Sequence, residues 1–194
     1  RDANNVAHVD YSKARVVVRN LDAIASRHAG RIHQHDFYPP LVSLLSAEAG
    51  QPYGFAQLVA KTLAKLTGVP SSMGFLGGSF TVLLTRCAVI MQNRSRQITD
   101  AEELNEAQAI MQEIESILDN VIHRRREQAA ATACPALVPA LMRAIPWYAD
   151  YEFVKLLASM IEVSPTARTQ FMSFRSPTGG DGVGLLRSIL QSDI

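Results

Sequence analysis

A few groups of residues have the types and spacing to bind something. His123-Arg124-Arg125-Arg126 is the densest run of positive charge in the chain. An Arg run of this kind can dock an acidic peptide, an acidic protein face or a phosphate. Trp147, Tyr148, Tyr151 and Phe153 are the densest aromatic group. Trp and Tyr are the side chains most enriched at interface hot spots, so Trp147, Tyr148 and Tyr151 are the first candidates for partner contact. Ser176 is followed by Pro177 and preceded by Arg175, which makes it a candidate for phosphorylation in a loop that added charge would reorder. Each group also has a plainer reading: a helix end complemented by positive charge, core packing between helices, and a flexible connection.

Residues for catalysis or metal binding do not assemble in the same way. His28, His33 and His35, with Asp36, are close in sequence, but structural zinc wants four converging thiolate or imidazole ligands. The only cysteines, Cys87 and Cys134, lie far from those histidines among apolar neighbours. They read as buried, reduced thiols rather than ligands or a disulfide framework. The segment 176–184 is glycine-rich but lacks the Gly-Lys-Ser/Thr ending of a phosphate loop and follows no strand. No serine-hydrolase motif, Cys–His pair or inward carboxylate pair is present. Glu102, Glu103, Glu106, Glu113 and Glu115 fall opposite an apolar stripe and read as a solvated face. The expectation is a protein that is not an enzyme and needs no cofactor or metal.

Composition supports a folded chain without a strong external field. Hydrophobic residues are 47% of the 194 positions, enough to bury a sizeable core, and charged residues are only 19%, too few for disorder. Net charge is +1, so nothing in the overall field points to nucleic acid or an anionic membrane. The near-apolar run from Phe80 to Met91 is broken by Arg86 and is too short to span a bilayer. The chain opens on Arg1 and not Met, and so reads as a piece of a longer protein or a processed form. A cytoplasmic or nuclear location is expected from the reduced cysteines.

The elements that must position these residues are helices. Apolar spacing predicts helices over Tyr11–Arg27 (with Val17, Leu21, Ile24 and Ala25 inward), Phe37–Ala47, Phe55–Thr67 and Ser79–Gln92. Pro39-Pro40 opens the second, and Gly68 and Pro70 stop the third. A long helix is predicted from Thr99 to Glu127, with Thr99 as N-cap and the Arg run complementing the dipole at its far end. Pro135–Ile145, Tyr148–Val163, Thr166–Phe174 and Val183–Gln191 complete the set, and placing Tyr148 and Tyr151 on one helix puts them on one face.

A shift of 42 residues superimposes the chain on itself. Val17 falls on Val59, Leu21 on Leu63, Ile24 on Leu66, Tyr38 on Phe80, Leu41 on Leu83, Val42 on Leu84 and Leu45 on Cys87. A period near this length belongs to helical repeats, whose units cannot bury their apolar faces alone and so stack. Asn20-Leu-Asp-Ala-Ile-Ala25, the polar turn through Arg31 and Gln34, and Tyr38-Pro-Pro-Leu-Val-Ser-Leu-Leu45 resemble an armadillo repeat, and Leu63 to Leu84 resembles a second copy. Ala136 to Met142 and the segments within 156–190 resemble parts of further copies.

The resemblance implies an all-α, armadillo/HEAT-like superhelical stack of about four units, roughly 11–50, 51–98, 99–146 and 147–194, forming one domain over 1–194. It further implies a scaffold or adaptor that binds a peptide or partner protein on its repeat surface. Two other readings stand beside it: a purely architectural subunit of a large assembly, and a helical enzyme or small-molecule binder whose site is assembled from distant residues. Leu186, Ile189 and Leu190 near the C-terminal end are expected to need cover from further repeats or a partner chain.

Overall fold

The computed structural model describes residues 10–32, 37–45, 54–148, 151–175 and 180–192. Their regular structure is helical throughout, apart from one isolated antiparallel bridge between Arg175 and Asp181. In chain order the helices are α1 (Tyr11–Ile32), α2 (Tyr38–Leu44), α3 (Phe55–Thr67), α4 (Ser72–Leu76), α5 (Ser79–Arg94), α6 (Ala101–Tyr148), α7 (Tyr151–Val163), α8 (Pro165–Ser173) and α9 (Gly182–Ser192). They pack in succession: α1 on α3, α3 and α5 on α6, and α6 on α7 and α8, with α9 against α8.

Local sequence explains most boundaries. α3 begins at Gly54, whose φ of 67° is the left-handed conformation that glycine adopts without strain. α6 is capped by Asp100, whose Oδ1 accepts from the Glu103 N–H at 2.8 Å, so the cap lies one residue beyond Thr99, where it was expected. Ser164 caps α8 by accepting from Ala167 N, with Pro165 in the first turn. Gly182 is buried so tightly against the Phe171 carbonyl that a Cβ there would collide with it, which fixes how α9 leaves α8. The five-residue α4 was not visible in the periodicity, being shorter than two turns.

α6 differs most from expectation. It is a single run of 48 helical residues with a break in helical dihedrals at Arg125 (φ −142°, ψ 45°), and it continues through Pro135, Pro139 and Pro146 to Tyr148. Arms 101–124 and 126–148 would each extend about 35 Å at 1.5 Å per residue. A straight rod would therefore hold Gln108 and Trp147 far apart, yet both line one cleft. The chain turns at Arg125, and the second arm returns along the first. Ile110, Ile114, Ile117, Leu118, Val121 and Ile122 of the first arm, and Leu137, Val138, Leu141, Met142 and Ile145 of the second, are all buried.

The C-terminal turn of α3 is pinned by the same arm. Asn120 Nδ2 donates to the Ala64 carbonyl at 3.3 Å, and Arg124 donates to the carbonyls of Thr67 and, at 2.6 Å, Gly68. Tyr38 of α2 adds its hydroxyl to the Leu66 carbonyl at 3.3 Å. At the other end of α3, Glu106 Oε1 accepts from Gly54 N at 3.2 Å, so α3 and the first arm of α6 run parallel.

Burial agrees with part of the 42-residue shift. Tyr38 and Phe80, Leu41 and Leu83, Val42 and Leu84, and Leu45 and Cys87 are buried pair by pair, as are Leu21 and Leu63. Val17 and Ile24 are not: they are 63% and 48% exposed, while Val59 and Leu66 are fully buried. α1 turns Val18, Leu21 and Ala25 inward instead. At the C-terminal end Leu185 and Leu186 are partly buried against the core; the side chains of Ile189 and Leu190 lie outside the description.

Replacing Arg124 by Ala should lower the unfolding free energy by about 1 kcal/mol, the net worth of hydrogen bonds at a partly wet site. Arg143→Ala, an exposed arginine on the second arm, serves as the comparison and should leave the urea midpoint unchanged within error. Equal midpoints for the two variants would show that Arg124 does not hold the α3 terminus.

Candidate functional site

The returning arm of α6 creates a cleft that no single segment could form. Gln108, Met111 and Gln112 come from the first arm, Trp147 and Tyr148 from the end of the second, and Phe153 from α7. Gln108 and Gln112 are four apart on one helical face, which sets their amides side by side. The cleft volume is about 290 Å³. Phe153, 1% exposed, and Met111, 2% exposed, lie at its base.

The two aromatic residues of the cleft have different jobs. Tyr148 is partly buried and donates its hydroxyl to the Arg94 carbonyl at 2.9 Å, closing the end of α5. Burial raises the phenol pKa above its usual value, with Arg94 opposing, so the hydroxyl stays protonated and remains a donor. Trp147 is 51% exposed although it is the chain's only tryptophan, and a half-exposed indole at the rim of a cleft is an available contact surface. Among the described residues no hydrogen-bond partner is recorded for its indole N–H or for the Gln108 and Gln112 amides. The cleft thus offers an aromatic shelf beside two amides that can each donate and accept.

The other expected site residues are dispersed. Tyr151 shares no helix with Tyr148: it opens α7, is 70% exposed and lies outside the cleft lining. Its ring carries Lys155 Nζ at 5.2 Å, and Lys155 is ion-paired to Glu152 at 2.5 Å. The basic run is split as well. Arg124 is engaged on α3, and Arg125 sits at the bend and donates to Gln128 Oε1 at 2.9 Å. The Arg126 side chain lies outside the described residues, as does Ser176. Arg94 and Arg96, a weaker basic pair in the sequence, both face Glu103, at 3.7 and 2.6 Å.

Of the histidines near the first bend, His28 is exposed, while His33, His35 and Asp36 lie outside the described residues. Among the described residues no group of three or more His, Cys, Asp or Glu side chains converges, and no helix is long and apolar enough to cross a membrane. Cys87 is fully buried and its thiol is pushed up to about 12 by desolvation, which keeps it protonated and unreactive; the Cys134 side chain is not among those described. Gln108 and Gln112 were missed by the sequence reading. Glutamines on the polar side of an amphipathic helix carry no signal until the second arm is placed against them.

No protein-family model matches the chain, and no curated protein or solved structure matches it.

The contrast between rim and base is measurable. Trp147→Ala should change the unfolding free energy by less than about 1 kcal/mol, whereas Phe153→Ala should cost about 3–5 kcal/mol, the range for a buried aromatic. Acrylamide should quench the native Trp147 emission readily; a shielded, blue-shifted emission would show that the indole is not at the rim.

Proposed function

We propose that the protein is a recognition module that docks a partner polypeptide in the Gln108–Trp147 cleft. The observation that carries this reading is the half-exposed Trp147 beside two amides without recorded partners, above an apolar base. Side-chain amides can pair with the N–H and C=O groups of an extended chain, while the indole covers an apolar side chain. The volume, about 290 Å³, falls at or below the range of roughly 300–1,000 Å³ typical of small-molecule pockets. It suits one or two side chains of a larger partner better than an enclosed metabolite, and the reading is therefore binding rather than catalysis.

The scaffold beneath the cleft is read as an armadillo- or HEAT-like stack. In its favour is the shared burial at Tyr38/Phe80, Leu41/Leu83, Val42/Leu84 and Leu45/Cys87. Exposed Val16, Val17 and Ile24 on α1 favour a second reading, an architectural subunit whose α1 face packs into an assembly.

A peptide library displayed against the full chain tests the first reading. Enriched peptides should blue-shift the Trp147 emission, and Trp147→Ala should weaken them by at least about tenfold, or about 1.4 kcal/mol at a hot spot. Gln112→Ala should weaken them less. Peptides that bind wild type and Trp147→Ala equally would remove the cleft as the site.

A further inference from the structure

A second cleft lies between α1 and the first two turns of α3. Its volume is about 320 Å³, and it is lined by Arg15, Arg19, Gly54, Gln57, Leu58 and Lys61. Helical spacing brings these residues together. Arg15 and Arg19 are four apart on α1, and Gln57 and Lys61 are four apart on the facing side of α3. The lining therefore holds three cations and no carboxylate.

Charges behind the lining compensate it only in part. Glu106 accepts from Gly54 N at the head of α3. Two turns further along α6, Glu113 stands in the field of both Lys61 and Lys65, and Lys65 is already ion-paired to Asp22 at 2.7 Å. Arg19 and Lys61 are exposed, and neither has a recorded hydrogen bond or close ion pair among the described residues. The positive end of the 13-residue α3 dipole lies at Gly54, where the Glu106 carboxylate meets it in part. Gly54 brings the Arg15 guanidinium against the head of α3: a Cβ there would already touch Arg15 Nη2 at 3.7 Å.

We propose that this cleft binds a phosphoryl oxyanion, carried on a peptide side chain or a small molecule. Arg19 of α1 and Lys61 of α3, with Arg15 beside them, line a space larger than one phosphate. A phosphate monoester, with three charged terminal oxygens, can meet several of these donors at once; a carboxylate offers only two oxygens. The site is separate from the Trp147 cleft and does not depend on the function assigned there.

Amide NMR titration of the full chain with sodium phosphate, against sodium chloride at matched ionic strength, reads the site directly. Saturable shifts should centre on Gly54–Leu58 and on α1 around Arg19. Removing one charged donor in Arg19→Ala should weaken binding about tenfold. Arg19→Glu combined with Lys61→Glu should abolish it, with native chemical-shift dispersion confirming the fold, and Arg143→Ala should leave it unchanged. A short phosphoserine peptide that binds more tightly than inorganic phosphate assigns the oxyanion to a protein partner; equal affinity assigns it to a small phosphate ester. Shifts that never saturate, or that persist in the double variant, overturn the site. Equal affinity for the same peptide with Glu in place of phosphoserine overturns its phosphoryl preference.

Discussion

The last turn of α3 lies inside the molecule, and a helix end placed there leaves carbonyl groups that must find donors away from bulk water. Leu66 and Thr67 are fully buried, so water cannot do the whole of this work. α6 supplies Asn120 and Arg124, and α2 supplies Tyr38. Because Glu106 meets the opposite end of α3 at Gly54, the first arm of α6 is held along the whole length of that helix.

Fixing the first arm fixes the bend. Arg124 is the last residue tied to α3, and the helical dihedrals break at the next residue, Arg125. The second arm then returns, and the Tyr148 hydroxyl reaches the end of α5 at Arg94, which itself faces Glu103 near the start of α6. Both candidate sites follow from this closure. The aromatic–amide cleft exists only where the returning arm meets its own beginning, and the basic cleft lies beside the head of the helix whose tail α6 pins.

Helix identity was largely legible in the residues, because it depends on local spacing and punctuation. Phe55–Thr67 matches α3 end to end, since Gly54 and Gly68 bracket an unbroken apolar period. Ser79 as the start of α5 and Val163 as the end of α7 were equally visible. The aromatic group at Trp147 and Tyr148 stands out by residue type, but the amides beside it in the cleft lie 35 or more positions earlier in the chain, and no local pattern joins them. The role of Arg124 was hidden for a related reason. The density of the Arg run invites a docking reading, while Arg124 answers carbonyls more than 50 residues away.

By itself, then, the sequence determined an all-helical chain, where most of its helices begin and end, and, of the seven apolar pairs at a spacing of 42, five that are buried together. Those properties arise from 3.6-residue periodicity, caps and breakers, all of which act within a few residues. Tertiary structure alone decided which arc of a helix faces inward. α1 offers both Val17 and Ile24, and Val18, Leu21 and Ala25, as apolar arcs, and only its contact with α3 selects the second. It also decided that a helix with three internal prolines would run on to Tyr148, and that its direction would reverse at Arg125. The physical reason is the same in each case: a helix can be specified locally, but its partner cannot, because burial is a property of two surfaces.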